Sequence, residues 1–186
     1  CGKDSLTSHG LGTQRLEDTL TELLPDARIA RLDRDTVRKR GRTREVLAAW
    51  RAGAIDVLIG TQMITKGHDV AGVTLVGVVH ADLGLGVPDF RCAERTFQIL
   101  TQVAGRAGRG ERRGRVVLQT YRPDHIAVAA AARHDYEAFA QQELAARREL
   151  DYPPYSRMVL LRIEGTRQAS TEGLAAAAGR SLRELA

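Results

Sequence analysis

An α/β fold, in which helices flank a parallel β-sheet, is the fold class that the sequence predicts. Two strand-length segments, residues 55–59 and 73–79, are almost continuously apolar, as strands are when both faces of their sheet are covered. Helix-length segments alternate with them along the chain, which favours parallel strands joined by helices. The chain has 186 residues, of which 43% are hydrophobic, enough for one full core and part of a second.

The first part of the chain predicts two helices, each followed by a strand. Leucines recur at helical spacing over residues 16–24, with Thr13 as the expected N-cap, and Pro25 ends this helix before a strand at 28–33. A second helix ends at Gly53, ahead of the strand at 55–59. It presents one apolar side, formed by Val46, Leu47 and Trp50.

The next part predicts three further helices and one strand. A long helix at 89–103 is followed by a Gly/Arg-rich break and a strand at 115–121, which adds to the sheet. Two alanine-rich helices follow at 124–132 and 134–150. The side chains expected to pack are Phe90, Ala93, Phe97, Leu100 and Ala104 on the long helix, and Phe139 and Leu144 on the last one.

A domain boundary is predicted near Leu150, because the paired prolines of segment 152–155 forbid a helix. Residues 158–163 predict a strand, and one helix follows; together they are too few to bury a core. We expect one domain at residues 13–150 and the incomplete start of an α+β domain at residues 151–186. The start at Cys1 without an initiator Met leads us to expect a fragment of a longer protein.

Positive charge is concentrated in one segment. The net charge is +5, and residues 101–122 contain six Arg against one acid, Glu111. Guanidinium groups suit phosphate, whether of a nucleotide or of a nucleic-acid backbone. A solvated basic face is the alternative, and charge alone favours that alternative.

The composition argues against a secreted or membrane protein. Cys1 and Cys92 are too few for a disulfide scaffold, and no signal-peptide pattern is present. No apolar run reaches the roughly 20 residues that a membrane span needs. We expect a cytoplasmic protein with no membrane partner.

The segment Gln102-Val-Ala-Gly-Arg-Ala-Gly-Arg109 has the strongest functional pattern. Gln102 and Arg106 share a helical face at this spacing, and Gly105 and Gly108 let a partner approach the backbone closely. Arg106 and Arg109 would bring positive charge to transferring phosphates. The alternative is a flexible basic turn at a helix end, which the complete Gln-x-x-Gly-Arg-x-Gly-Arg spacing makes less favoured.

A polar loop, residues 60–69, follows the strand at 55–59, where doubly wound sheets place ligand-binding loops. It reads Gly-Thr-Gln-Met-Ile-Thr-Lys-Gly-His-Asp. Taken alone, Lys66, His68 and Asp69 would be an ordinary solvated loop. Their occurrence upstream of the 102–109 segment favours a functional interpretation.

These two segments resemble motifs V and VI of superfamily 2 helicases, whose second lobe has a RecA-like fold. The resemblance implies that Arg109 is similar to the arginine finger and that Arg106 also approaches the γ-phosphate of ATP. It places Gln102, Gly105, Gly67 and Asp69 on the ATP side. It assigns DNA contacts to Thr61, Gln62, Lys66 and His68.

Further segments of the sequence are similar to the replication-restart helicases of that superfamily. The matching segments are Arg31–Thr36, Asp82-Leu-Gly-Leu, Pro88-Asp-Phe-Arg91, Ala93–Phe97 and Arg147–Tyr155. The resemblance implies helicase lobe 2 at residues 13–150 and the tail of a zinc-binding insertion at residues 1–12. Two Zn²⁺ ions belong to the full-length protein, and Cys1 would be part of an incomplete zinc site, so this fragment is expected to bind none.

The resemblance implies an ATP- and Mg²⁺-dependent, 3′-to-5′ DNA helicase that remodels stalled forks and promotes primosome assembly. Its partners would be forked and single-stranded DNA, the single-strand DNA-binding protein, and other primosome and helicase-loading proteins. The sequence contains neither a Gly-x-x-x-x-Gly-Lys-Ser/Thr loop nor an Asp-Glu-x-His box, so the fragment alone is expected to be inactive. The alternatives are a non-catalytic module that binds fork DNA or the single-strand-binding protein, and lobe 2 of another superfamily 2 helicase.

Overall fold

A computed structural model gives the fold, and it describes residues 12–33, 36, 41–61, 72–108 and 113–184. The chain divides into two compact units, Cys1–Glu143 and Leu144–Ala186. Within the described ranges, every helix is too short or too polar to cross a membrane. The domain bounds inferred from the sequence stay a prediction.

The elements follow the predicted order of helices and strands in the first unit. They are α1 Thr13–Leu23, β1 Ile29–Leu32, α2 Arg42–Arg51, β2 Val57–Gly60, β3 Leu75–Val78, a 3₁₀ helix at Ala81–Gly86, α3 Cys92–Ala104, β4 Arg115–Leu118, α4 Ile126–Arg133, α5 Tyr136–Glu149 and α6 Gln168–Glu184. The 3₁₀ helix was not predicted, because its Leu-Gly-Leu-Gly pattern carries no helical periodicity.

The strands are parallel, which confirms the predicted α/β class. β1 pairs with β2, with Ile29 opposite Val57, and β3 pairs with β4, with Leu75 opposite Arg115. The sequence suggested one sheet; the described residues instead form two separate two-stranded sheets. Each pair of strands packs against a hydrophobic core of its own.

The larger core lies against β3 and β4 and joins α3, α4 and α5. Phe97 is stacked on Phe139 with ring centroids 4.3 Å apart and an angle of 2° between the planes. Ala127, Ala130 and Ala131 of α4 are almost completely buried, so the helices approach closely. The buried members are Ala81, Ala93, Phe97, Leu100, Ala127, Val128, Ala130, Ala131 and Phe139. Leu144 was expected to pack but is 39% exposed.

The smaller core lies between β1, β2 and α2. Leu32, Val46 and Leu47 are buried there, with Trp50 packed against them at lower burial. These are the apolar positions that the helical periodicity of α2 predicted. The pattern therefore located both the helix and its buried side.

Thr13 does not have the predicted role of N-cap. Gly12 occupies the cap position and makes no side-chain cap bond, while Thr13 is the first helical residue. The Thr13 hydroxyl instead donates to Asp33 Oδ2 at 2.6 Å. A buried carboxylate without enough donors is costly, so this longer-range contact takes the hydroxyl from the helix end.

The predicted strand at residues 158–163, in the second unit, does not form. The segment has no ladder partner within the described part of the chain. Val159 and Leu160 are 86% and 90% exposed. A strand is stabilised by pairing with a neighbour rather than by its own composition, so apolar residues alone were insufficient. The helix expected after it is α6.

The start of α4 depends on the protonation of His125. Its Nδ1 accepts a hydrogen bond from Ala127 N at 3.2 Å, a role that only the neutral ring can fill. Burial, and next the charge of Arg122, lower the pKa of His125 below its ordinary 6.5. The folded chain therefore binds fewer protons there than the unfolded chain as the pH falls below 6.5.

We expect His125→Asn to reduce the loss of stability between pH 7.5 and pH 5.5. A depressed histidine pKa gives stability that is present above the unfolded pKa and is lost as the pH falls towards the folded pKa. Asn keeps an N-cap acceptor but does not titrate. Urea unfolding at both pH values measures the difference. Equal pH dependence in the parent chain and the Asn variant would contradict the role of His125.

Candidate functional site

The segment after α3 presents the predicted phosphate-binding residues. α3 ends at Ala104, and the chain continues as tightened turns closed by backbone bonds. These run from Gly105 N to Thr101 O (3.0 Å), from Arg106 N to Val103 O (3.0 Å) and from Ala107 N to Ala104 O (3.2 Å). Gly108 then adopts φ +78°, a left-handed conformation that glycine adopts readily.

Gln102 and Arg106 lie in different local settings. Gln102 is exposed in the last turn of α3, whereas Arg106 is half-buried. The sequence predicted that both lie on one helical face. Because α3 ends at Ala104, Arg106 lies in the turns beyond the helix, and that prediction was wrong in detail.

Gly105 is a glycine that the fold of this chain does not require. Its φ is −66°, and an added Cβ would meet Thr101 O at an ordinary 3.5 Å. The residue is exposed, so the missing side chain leaves room for something outside the chain to approach the backbone. An alanine would therefore be tolerated by the fold at this position.

The turns after α3 end at the amino ends of β3 and β4. Gly108 N donates to Val73 O at 3.0 Å, and Arg115 N donates to Thr74 O at 2.8 Å. Val73 and Thr74 directly precede β3, and Arg115 begins β4. Gly108 and Arg115 are therefore both hydrogen-bonded to the residues that precede β3.

Thr61 lies at the carboxyl end of β2 and is exposed. Gly60, the residue before it, pairs with Leu32, the last residue of β1. The carboxyl ends of β1 and β2 thus meet at one edge, which is where parallel sheets place their ligands. The remaining predicted site residues lie outside the described residues; they are Cys1, Gln62, Lys66, Gly67, His68, Asp69 and Arg109.

A buried carboxylate organises the carboxyl end of β1. Asp33 is 5% exposed and accepts hydrogen bonds from Thr13 Oγ1 (2.6 Å), Thr36 N (2.9 Å) and Arg31 Nη1 (2.5 Å). Burial acts to raise its pKa, but these hydrogen bonds and the guanidinium outweigh burial and hold the pKa of Asp33 well below its ordinary value. Arg31 also pairs with Glu17 at 2.8 Å. The segment Arg31–Thr36 was noted for its similarity to replication-restart helicases. The sequence did not predict these hydrogen bonds and ion pairs.

A second carboxylate joins the carboxyl ends of β3 and β4. Asp82, in the 3₁₀ helix, accepts hydrogen bonds from the Thr120 hydroxyl and from Tyr121 N, the latter at 2.7 Å. Ala81 N donates to Gln119 O at 2.9 Å beside it. Burial favours a higher pKa, but the hydrogen bonds lower the pKa of Asp82 on balance. No pattern in the sequence predicted this link.

Residues 34–44, which follow β1, have the same net charge as residues 101–122. Residues 34–44 contain six Lys or Arg against one acid, Asp35. In the sequence they follow β1 and extend into the first turn of α2. The surplus of positive charge was predicted to lie in residues 101–122 alone, so this second basic segment was not predicted.

Among the residues that the structure describes, no three of His, Cys, Asp or Glu lie together so as to hold a metal ion. A structural zinc site takes four ligands, which this part of the chain does not supply. The described polar side chains of this segment, the exposed amide of Gln102 and the guanidinium of Arg106, are of types that bind phosphate.

Comparison with known proteins gives a consistent result. The family described as the helicase conserved C-terminal domain matches residues 11–111. The replication restart protein PriA of Bacillus subtilis (strain 168) is 50% identical over 163 residues, which are 88% of this chain and 20% of that protein. PriA of Synechocystis sp. is 49% identical over 172 residues, 92% of this chain and 21% of that protein. PriA of Treponema pallidum is 48% identical over 150 residues, 81% of this chain and 23% of that protein. The chain spans about a fifth of the length of these relatives.

Proposed function

Because the chain belongs to the family of the helicase conserved C-terminal domain, we propose that it is the nucleotide-responsive second lobe of an ATP-dependent DNA helicase. The observation that carries the proposal is the break after α3. There the Gln-x-x-Gly-Arg-x-Gly-Arg pattern coincides with an exposed glycine that the fold does not require and with a half-buried guanidinium. Both features lie inside the matched residues.

In this proposal the lobe responds to ATP that is held mainly by another lobe. ATP with Mg²⁺ supplies the transferring phosphoryl group and its bound cation. Arg106 and Arg109 offer guanidinium donors to the phosphate oxygens, where negative charge redistributes during transfer. Gln102, Gly105, Gly67 and Asp69 would provide the rest of the ATP side.

The DNA side of the proposed lobe is the carboxyl edge of β1 and β2. Thr61 would donate its hydroxyl and backbone N–H to a DNA phosphate, aided by Gln62, Lys66 and His68. Phosphate contacts fix position without reading the base sequence. The basic residues 34–44 come directly after β1 in the sequence, and Lys and Arg near a DNA phosphate would add sequence-independent affinity.

For the whole protein we infer replication restart, since the relatives named above carry that function in their names. The proposed activity is 3′-to-5′ unwinding at stalled or abandoned forks, followed by primosome assembly in the bacterial cytoplasm. Its partners would be forked and single-stranded DNA, the single-strand-binding protein and helicase-loading proteins. Zn²⁺ would be bound by a zinc-binding insertion of the full-length protein. Cys1 would be one ligand of that site, and its other ligands would lie outside this chain.

ATP hydrolysis by the full-length helicase, measured with and without single-stranded DNA, tests this function. We expect DNA to stimulate turnover. In Thr61→Val the DNA concentration for half-maximal stimulation should rise about 3- to 10-fold, as expected for the loss of one hydrogen bond. Thr74→Val, an exposed threonine at the opposite end of a strand, is the matched control and should leave this concentration unchanged. Turnover that does not respond to DNA would contradict the proposal.

A non-catalytic fork-binding module is the second candidate, and the two basic segments favour it. Fluorescence anisotropy with forked DNA separates the two candidates. Binding by this chain that is unaffected by an ATP analogue, together with no turnover by the full-length protein, would favour the module. Affinity at physiological salt must be compared, because phosphate contacts weaken steeply as salt rises.

A further inference from the structure

Tyr121 presents its ring to solvent just after β4. Among the aromatic side chains that the structure describes, it is the most exposed, at 75%. The ring of His80 lies beside it, with ring centroids 5.7 Å apart and an angle of 77° between the planes. An edge-to-face contact of this kind covers at most one side of the Tyr121 ring. The rest of the ring is therefore open to a planar ligand.

Hydrogen bonds fix the backbone that carries the Tyr121 ring. Tyr121 N donates to Asp82 Oδ2 at 2.7 Å, and Arg122 N donates to the Thr120 hydroxyl at 2.9 Å. His80 has φ +60°, a left-handed conformation that is uncommon for a residue with a side chain. Such conformations persist where the surrounding structure imposes them. The exposed ring is thus held in a defined position before any ligand binds.

The pair of rings lies at the carboxyl end of the sheet formed by β3 and β4. His80 follows β3, which ends at Val78, and Tyr121 follows β4, which ends at Leu118. Parallel strands place their ligands at this end. Thr61, to which the proposed function assigns a DNA phosphate, has the equivalent position after β2. Tyr121 therefore occupies the same kind of position as the proposed DNA contact.

The described part of the proposed ATP side lies at the other end of the same sheet. The turns that contain Arg106 are bonded to the amino end of β3, where Gly108 N donates to Val73 O at 3.0 Å. An extended chain rises about 3.3 Å per residue, so the steps from Arg115, the start of β4, to Tyr121 separate the ring from that end by up to about 20 Å. A nucleobase at this ring is therefore assigned to DNA rather than to ATP.

The charged groups next to Tyr121 do not form a basic patch. Arg122 and Asp124 follow it in the sequence and are both exposed, and Asp82 adds a second carboxylate. A surface that binds phosphate needs an excess of positive charge, which these three residues do not supply. Stacking of a base on an aromatic ring has no such requirement. The chemistry at Tyr121 therefore favours a base over a phosphate.

We propose that Tyr121 is a stacking platform for a base of single-stranded DNA, with His80 supporting the ring from one side. The inference rests on the proposed function, because it presupposes that this lobe binds DNA. It adds a contact to a base, whereas that function names contacts to DNA phosphate. Because every base has an aromatic face, the contact is insensitive to base sequence.

Tyr121→Ala in the full-length helicase tests the inference, by fluorescence anisotropy with a labelled oligothymidine. We expect Kd to rise roughly 5-fold or more, as for the loss of one stacked base. The factor should be the same at about 50 mM and about 200 mM salt, since no phosphate contact is lost. Tyr121→Phe keeps the ring and should restore binding to within about twofold of the parent. Tyr136→Ala is the matched control, because Tyr136 is an exposed tyrosine on α5.

An abasic oligonucleotide separates stacking from damage to the fold. It has the same phosphates and sugars but no bases, so the parent and Tyr121→Ala should bind it with equal Kd. An equal loss of affinity for both oligonucleotides, or parent affinity of Tyr121→Ala for oligothymidine, would overturn the proposal. A higher KM for ATP with unchanged Kd for DNA would assign the ring to adenine and overturn it too. If DNA does not stimulate turnover by the parent helicase, the proposed function fails instead.

Discussion

Arg109→Ala in the full-length helicase is expected to lower DNA-stimulated ATP hydrolysis by about 10³-fold or more, the range for loss of an arginine finger. The reason is electrostatic. A guanidinium aimed at the transferring phosphoryl group stabilises charge that is redistributed only in the transition state, so its loss appears in kcat rather than in substrate binding. Affinity for forked DNA is expected to stay within about twofold, since the proposal assigns Arg109 to ATP and the DNA phosphates to other residues.

The chain offers matched controls for Arg109. Arg113 and Arg115 are exposed arginines of the same basic segment, and Arg115 begins β4. If net positive charge is what matters, Arg113→Ala and Arg115→Ala should each impair turnover as much as Arg109→Ala does. If position matters, both controls should retain nearly full kcat. Turnover at the parent rate in Arg109→Ala would remove the arginine-finger assignment.

Local patterns predicted the elements whose formation depends on burial. Continuous apolar runs located β2 and β3, and helical periodicity identified Val46, Phe97 and Leu100 as core residues. Burial of a periodic apolar face is the main source of helix stability in proteins. The fold class follows from such repeated patterns, and it did not depend on any single residue.

Features that depend on distant residues were not predicted. The hydroxyl of Thr13 bonds to Asp33, twenty positions along the chain, and local capping rules do not include such a competitor. Residues 158–163 have strand composition, yet the second unit gives them no ladder partner among its described residues. Strand formation is a property of a pair, so a single segment cannot reveal it.

The candidate site divides in the same way. Gln102, Gly105 and Arg106 were selected from a local pattern and its resemblance to a helicase motif, and their role stays a prediction. Asp82 contributes through hydrogen bonds to Thr120 and Tyr121, and Asp33 through hydrogen bonds from Thr13 and Thr36. Such residues have ordinary local sequence and gain their role only from the fold.

Phe97→Ala is expected to cost about 3–5 kcal/mol of unfolding free energy, as for other buried aromatic truncations. Phe97 is 4% exposed and lies in the centre of the larger core, stacked at 4.3 Å on Phe139. Removing the ring loses its transfer free energy and leaves a cavity that the fully buried alanines of α4 cannot fill. Since domains are stable by only about 5–15 kcal/mol, a large share of the stability of this chain depends on one side chain.

Urea unfolding of this chain, followed by circular dichroism, measures the Phe97 effect. With a slope of roughly 1–3 kcal/mol per molar urea, the midpoint should fall by about 2 M. Tyr136→Ala is the control, because the ring centroids of Tyr136 and Phe97 are 6.2 Å apart but Tyr136 is 67% exposed. This substitution should lower the free energy of unfolding by less than roughly 1 kcal/mol, since little buried area is lost from the core. Equal midpoints for the two variants would mean that the Phe97–Phe139 stack does not hold α3 in place. In that case the break after α3, which presents Arg106, would need another source of rigidity.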